Sequence, residues 1–157
     1  MLPQLKPIWR RWEETQAALL AAVAEFPPDR LNWKPAGNAT TLAEIVAHTA
    51  GGEAAYYRML GDERPWSAPV PETPEEARSL LLAAGERARL AFESLSEADL
   101  STPRADRWRP LGPEVAGPLD SIWFLEQMIR HKAYHLGQIN YLDLMLTDGP
   151  SEAPGEH

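Results

Sequence analysis

Prolines and glycines are gathered into a few segments of this chain, and these segments constrain its fold more than any other feature. They separate four stretches, over residues 5–26, 42–61, 74–95 and 119–146, in which apolar side chains recur at helical spacing. Each stretch is expected to form one amphipathic helix that ends where these segments begin, because proline removes a backbone donor and both residues are unfavourable inside a helix. No strand pattern of period two competes with them. We therefore predict an all-α fold, a four-helix bundle with long connections.

Capping residues mark where two of these helices should begin. Thr41 is followed three residues later by Glu44, which is the spacing of a capping box at the start of the second helix. Thr73 precedes Pro74, and proline fits the first position of a helix, so the third helix should start there. The first helix is expected to stop at Pro27.

The connection over residues 96–117 has no helical periodicity and is rich in proline. We predict a short turn followed by a long ordered loop. Three arginines, Arg104, Arg107 and Arg109, surround Trp108 in this segment. We interpret them as part of a solvated loop whose tryptophan packs inward, with a phosphate or carboxylate site as the alternative.

Length and composition restrict the functional classes. We expect residues 1–150 to form a single domain, and residues 151–157 to form a disordered tail that keeps His157 away from any site. The net charge of −8 argues against nucleic acid as a partner, since its backbone requires a basic face. The absence of cysteine excludes thiolate metal sites and a cysteine nucleophile. Without a membrane-length apolar run or a signal-like N-terminus, the protein is expected to be cytoplasmic, with no membrane partner.

Three of the four histidines fall inside predicted helices and carry the strongest functional signal. His131 and His135 are four residues apart, which puts both rings on one face of the fourth helix. That face is otherwise apolar, and His48 lies in a similar stripe of the second helix, so all three rings are expected to point inward. The apolar residues that share the face of the fourth helix are Phe124, Met128, Leu142 and Met145.

Three neutral imidazoles that meet in a helical bundle would form a facial site for a divalent metal ion. Zinc and nickel are the first choices, with iron and manganese as alternatives. The competing interpretation is three separate core histidines, each hydrogen-bonded to a carbonyl or carboxylate. Lys132 follows His131, so the His-Glu-x-x-His signature of zinc proteases is absent. We predict that His48, His131 and His135 are the metal ligands, and we assign no further catalytic residue.

Some neighbours of these histidines have two interpretations. Gln138 lies about one turn beyond His135 and is a candidate to orient that ring. Glu44 lies one turn before His48, but its role in the capping box competes. The adjacent glycines at 51–52 each cost about 1 kcal/mol relative to alanine inside a helix. They indicate either close backbone packing or space beside a ligand.

These residues resemble the DinB-like, or YfiT-like, metalloenzyme superfamily. Its members are four-helix bundles with one histidine on the second helix and a His-x-x-x-His pair on the fourth. The resemblance extends over residues 5–146, and residues 27–35 look like the family's lead-in to its second helix. The matching motifs are Leu42-Ala-Glu-Ile-Val-Ala-His48 and His131-Lys-Ala-Tyr-His135-Leu-Gly137-Gln138.

The resemblance implies a divalent metal on the same three histidines, a homodimer, and transfer or isomerisation chemistry with low-molecular-weight thiols such as bacillithiol, mycothiol or glutathione. Leu136 departs from the arginine usual in the family, which is expected to weaken an anion contact near the metal and leaves the identity of the thiol open. The leading hypothesis is a metal-dependent thiol S-transferase, whose partners are a small-molecule thiol and an electrophile. The alternatives are a metal-dependent hydrolase, which acts without thiol, and a non-catalytic metal-binding dimeric protein.

Overall fold

The computed structural model describes residues 1–35, 37–109 and 114–147. Five helices are described: α1 (Lys6–Glu25), α2 (Leu42–Met59), α3 (Pro74–Ser94), the short α4 (Glu97–Ser101) and α5 (Ser121–Thr147). Among the four long helices, α1 and α2 each pack against both α3 and α5. Short 3-10 turns at Pro3–Leu5 and Pro28–Arg30 precede and follow α1. The predicted all-α bundle of four long helices is confirmed.

The capping residues act as the sequence predicts. Thr41 Oγ1 accepts a hydrogen bond from the Glu44 backbone N–H at 3.1 Å, and the Glu44 carboxylate accepts one from the Thr41 N–H at 2.8 Å. At the start of α3, Thr73 Oγ1 accepts from the Glu76 N–H at 3.2 Å. Each such cap satisfies a backbone donor that has no partner within the helix, and its loss costs about 1 kcal/mol.

The core of the bundle consists of two apolar clusters arranged one after the other along the helices. One cluster is rich in aromatic residues and the other in aliphatic ones, and a layer of buried polar side chains lies between them. The first cluster includes Trp12, Tyr57, Phe92, Phe124 and Met128. The second includes Leu19, Val46, Leu81, Ile139 and Leu142.

One apolar residue predicted to face inward from the last helix does not do so. Phe124, Met128 and Leu142 are buried, but Met145 is 38% exposed. The reason is length: α5 has 27 residues, whereas α1 and α2, which pack against it, have 20 and 18. The final turns of α5 therefore extend past the helices that would cover them.

The connection between α4 and α5 contains a hairpin that the sequence did not predict. β1 (Ala105–Trp108) pairs antiparallel with β2 (Val115–Leu119), and the register is irregular between Ala105 and Arg107. The expectation of a loop without strands was therefore wrong. Strands of four and five residues, one irregular and the other containing Pro118, are too short and interrupted to show an alternating pattern. Because β2 includes Leu119, α5 begins two residues later than predicted.

The hairpin is fixed to the bundle by its tryptophan and by one of its arginines. Trp108 is half-buried and meets Phe124 edge-on, with ring centres 5.3 Å apart. Arg104 donates to the Asp99 carboxylate at 2.6 Å and to the Ser121 hydroxyl at 3.0 Å. The arginine nearest the bundle thus has a structural role, and the interpretation of an inward-packed tryptophan is confirmed.

Two expectations concern the ends and the environment of the chain. The predicted disordered tail at 151–157, which includes His157, lies outside the described residues. Within the described ranges, none of the helices combines the length and the apolar character that a membrane crossing requires.

Candidate metal centre

Three histidine side chains from two helices meet between α2 and α5. The Nε2 atoms of His131 and His135 are 3.1 Å apart. The ring of His48 is centred 5.5 Å from the ring of His131 and 4.9 Å from that of His135. One ring nitrogen of each histidine lies within 4.8 Å of the other two. The structure thus brings together the three residues that the sequence singled out.

The three histidines differ in exposure. His131 and His135 are buried, whereas His48 is exposed. His48 and His135 line a cavity of about 640 Å³ that opens to solvent. All three rings face one another, as expected, but His48 is exposed at this cavity rather than buried in the core. A small molecule can approach the three rings from the His48 side.

A glutamine one turn further along α5 fixes the orientation of one ring. The side-chain oxygen of Gln138 lies 2.6 Å from Nδ1 of His135. This oxygen can only accept, so Nδ1 carries the proton and Nε2 presents its lone pair towards the other histidines. The predicted role of Gln138 is confirmed, while Glu44 is held by its capping box with Thr41.

Gly52 makes room for His131. A Cβ atom at Gly52 would lie 2.8 Å from Cε1 and 3.0 Å from Nε2 of the His131 ring, closer than real contacts allow. A Cβ atom at Gly51 would lie 3.3 Å from Cβ of Ala68, closer than an ordinary van der Waals contact, so the neighbouring segment would have to shift slightly. The glycine pair could indicate close packing or space beside a ligand. Close packing applies at both positions, and at Gly52 the group that packs against the helix is the ring of His131, a candidate metal ligand.

The Gly52→Ala variant is expected to bind zinc at least about tenfold more weakly, since displacing a ligand ring has an effect comparable to losing its supporting contact. Alanine favours the helix by about 1 kcal/mol, so the loss would not reflect a weaker α2. Gly137→Ala is the matched control, because no heavy atom lies within 4 Å of its added Cβ. Competition with a chromophoric chelator measures both affinities. Equal affinities in the two variants would contradict the steric argument.

Burial keeps the two α5 histidines neutral. Burial lowers the pKa of His131 to about 3, and the proximity of the basic groups of His135, His48 and Lys132 acts in the same direction. Burial also lowers the pKa of His135, although its contact with Gln138 opposes this shift. The neutral imidazole is the form that binds metal, so both rings are in the binding form at neutral pH.

The stability of the metal-free protein should fall as the pH decreases below 6.5. Between that ordinary histidine pKa and about 3, the unfolded chain takes up a proton at residue 131 that the folded chain excludes. The free energy of unfolding is therefore greatest above pH 6.5 and decreases towards pH 4. Urea unfolding in the presence of a chelator measures this slope. His131→Ala should make it shallower, and an unchanged slope in that variant would contradict the assignment.

The donor set fits a divalent transition metal. Two nitrogens bound to one tetrahedral ion at about 2.05 Å are separated by roughly 3.3 Å, close to the separation of the two Nε2 atoms. The competing interpretation, in which each histidine is satisfied by protein groups, does not describe His131. Its Nδ1 atom is buried and has no hydrogen-bond partner among the described residues. An all-imidazole set suits zinc, nickel or ferrous iron.

Comparisons with known proteins identify the family. A solved structure described as a conserved protein from Enterococcus faecalis is 15% identical, with a TM-score of 0.64 over 94% of this chain and 99% of that chain. At this identity the likeness shows a shared fold. None of the curated proteins matches the chain. A family model described as the DinB superfamily matches residues 11–139. Since that model spans well over half of the sequence, the chain belongs to the DinB superfamily.

Proposed function

We propose that this protein is a divalent-metal-dependent thiol S-transferase in which His48, His131 and His135 hold the ion. The observation that carries the proposal is the convergence of three imidazole nitrogens beside an open cavity. A divalent ion held there would supply Lewis acidity, which lowers the pKa of a thiol or a water molecule that reaches it. Zinc and nickel suit the donor set best, and iron and manganese are the alternatives.

The cavity beside the histidines suits a small polar thiol. Its volume of about 640 Å³ falls within the usual range for small-molecule sites. The chain has no cysteine of its own, so any thiol must come from solution. Thiols of the glutathione and bacillithiol type carry carboxylates, and the lysine on the rim offers a charge to pair with them. The polar residues that line this cavity include Lys34, Asn38, Thr40, Glu44 and Gln138.

A second cavity, of about 610 Å³, adjoins the first and is lined mainly by apolar groups. The two cavities share five lining residues, so a molecule in one can reach a molecule in the other; these are Ala39, Thr40, Ile45, Tyr134 and Gln138. Gly137 lies in its wall with open space in front of its Cα. The apolar part of the electrophile occupies this second cavity in the proposed reaction.

The proposed reaction joins the sulfur of the thiol to a carbon of the electrophile. The sulfur–carbon bond forms as the bond from that carbon to its leaving group breaks, and the thiol proton passes to solvent. Within the protein, Gln138 keeps the His135 ring in one orientation, and Gly52 lets His131 approach α2. The two cavities bring the thiol and the electrophile side by side.

The Gly137→Leu variant should slow the reaction of a bulky electrophile more than that of a small one. A leucine side chain at this position of the cavity wall would reduce the space for the electrophile, and nothing lies within 4 Å of its Cβ. We expect kcat/KM for benzyl chloride to fall about 10- to 200-fold, a range typical of altered apolar pockets, with little change for iodomethane. Gly137→Ala is the control. Equal slowing of both electrophiles would argue against binding of the electrophile in the second cavity.

Turnover with and without thiol tests the proposed function. Zinc- or nickel-loaded protein is mixed with bacillithiol or glutathione and benzyl chloride, and the disappearance of free thiol is measured. The proposal expects a rate that requires the ion and is lost in His131→Ala. Turnover that survives complete removal of the metal would contradict it. Ester hydrolysis without thiol would favour a metal-dependent hydrolase. Metal binding without any turnover would favour a non-catalytic metal-binding dimeric protein.

We also propose that the protein forms a homodimer. Four large apolar side chains are exposed along α5, which is unusual for a surface in contact only with water. Light scattering coupled to gel filtration distinguishes 17.5 kDa from twice that mass. The exposed residues are Tyr134, Tyr141, Leu144 and Met145.

A further inference from the structure

The polar layer between the two apolar clusters contains an ion pair that the proposed reaction does not use. Lys132 Nζ lies 3.0 Å from the Glu53 carboxylate, and both side chains are completely buried. The same ammonium donates to the side-chain oxygen of Gln16 at 2.5 Å and lies 4.1 Å from the centre of the Trp12 ring. One charge from α5 is thus held by groups from α1 and α2.

The layer continues to the remaining long helix, α3. The Gln16 side-chain nitrogen donates to the Leu81 carbonyl at 2.8 Å. The Tyr57 hydroxyl lies 2.6 Å from the Glu53 carboxylate and 3.1 Å from the Ala84 carbonyl. A single level of the bundle therefore connects all four long helices through directional polar contacts.

Stability alone does not explain this arrangement. Transferring two charges from water to a protein interior is unfavourable, and well-packed apolar residues in place of a buried ion pair often leave a protein as stable or more stable. An ion pair instead fixes the relative position of the two helices that carry its charges. Apolar surfaces tolerate small shifts between helices, whereas a shift that separates Lys132 from Glu53 leaves two unpaired charges in the core.

Each member of the ion pair is next in sequence to a residue that lies where α2 meets α5 at the metal centre. Lys132 directly follows His131, and Glu53 directly follows Gly52, whose Cα faces the His131 ring. His48 comes from α2, while the other two ligand candidates come from α5. A slip of one helical turn, about 5.4 Å, would therefore remove His48 from the other two rings.

We infer that the Lys132–Glu53 ion pair sets the register of α2 against α5 and thereby assembles the three-histidine centre. The inference rests on the proposed metal binding at His48, His131 and His135. Lys132 and Glu53 are positioning residues, which act through the histidines rather than on the ion or the substrate. Replacing both of them together is expected to lower the metal affinity of the protein while its free energy of unfolding stays nearly the same.

The test replaces both charges by apolar side chains, in the variant Lys132→Met with Glu53→Leu. We expect this protein to fold with a stability close to that of the wild type and to bind zinc at least about tenfold more weakly. Wild-type zinc affinity in the folded variant would overturn the inference. Lys132→Met with Glu53→Gln retains a partner for Tyr57 and provides a milder replacement if the first variant does not fold.

A second buried ion pair provides the matched control. Arg87 and Asp62 are 2.9 Å apart and nearly buried, but they connect α3 to the segment after α2 and do not join α2 to α5. Replacing them by Arg87→Met with Asp62→Leu should leave zinc affinity unchanged. Equal weakening in both double variants would mean that any buried ion pair has this effect, and would overturn the specific role of Lys132 and Glu53.

A distance measurement tests the register without any metal. The chain has no cysteine, so Arg58→Cys and Asn140→Cys, both at exposed positions on α2 and α5, can carry spin labels cleanly. With the doubly labelled chain diluted in unlabelled protein, so that distances between subunits do not contribute, pulsed electron paramagnetic resonance should give one narrow distance in the parent protein and a shifted or broadened one in Lys132→Met with Glu53→Leu. An unchanged narrow distance would overturn the inference. If the parent binds no metal but the distance shifts, the proposed function fails and the register role stands.

Discussion

The His131→Ala variant should retain almost no zinc under conditions in which the wild-type protein binds about one ion per chain. The reason is geometric: its Nε2 atom lies 3.1 Å from that of His135, and its removal leaves two imidazoles on separate helices. The variant should still fold, because alanine favours α5 and the Nδ1 atom of His131 has no hydrogen bond to lose among the described residues. Plasma mass spectrometry after dialysis measures the metal content, and circular dichroism verifies the fold.

Two comparisons make this result decisive. His48→Ala and His135→Ala should behave like His131→Ala, whereas His157→Ala should keep its metal, since residue 157 belongs to the predicted tail at 151–157. Added zinc at 100 times the dissociation constant should stabilise the wild type by about 2.7 kcal/mol and leave His131→Ala unaffected. A wild-type protein that rejects both zinc and nickel would make the histidines structural and remove the basis of the proposed function.

Lys132→Met alone should lower the free energy of unfolding by about 3–5 kcal/mol, the largest stability effect expected in this chain. The variant leaves the Glu53 carboxylate in the core without its counter-charge, and both side chains are completely buried. Guanidinium unfolding of the metal-free protein measures the loss. Lys6→Met, at an exposed lysine on α1, should change stability by less than about 0.5 kcal/mol. A loss below about 1 kcal/mol for Lys132→Met would show that the carboxylate finds another partner or becomes protonated.

The sequence predicts the long helices well because local signals determine them. The capping box of Thr41 and Glu44 and the Thr73 cap each act within one turn, so no knowledge of distant contacts is needed. The hairpin of β1 and β2 is different, since its strands are short, irregular in register and held by packing of Trp108 on the bundle. Structure that depends on tertiary contacts leaves little trace in periodicity.

In the candidate site, too, the sequence predicts local relations between residues better than contacts between helices. The pairing of His131 with His135, and of His135 with Gln138, follows from helical spacing alone. That His48 joins them depends on how α2 packs against α5, which spacing does not encode. Sequence reasoning does not reveal the buried ion pair of Lys132, because the place of this residue after His131 indicates only that a protease motif is absent. Its position four residues after the buried Met128 is a signal that would have identified a charged side chain in the core.

The unequal exposure of the three histidines has a consequence for how an ion would come and go. His131 and His135 are buried, although His135 also borders the open cavity, and the one exposed ring is that of His48. An ion arriving from solution would meet that ring first, and a chelator would reach the ion from the same side. Loading and loss should then require the rotation of one side chain rather than the opening of the bundle. A centre of this kind exchanges its ion while folded, so the supply of metals around the protein would decide which one it carries.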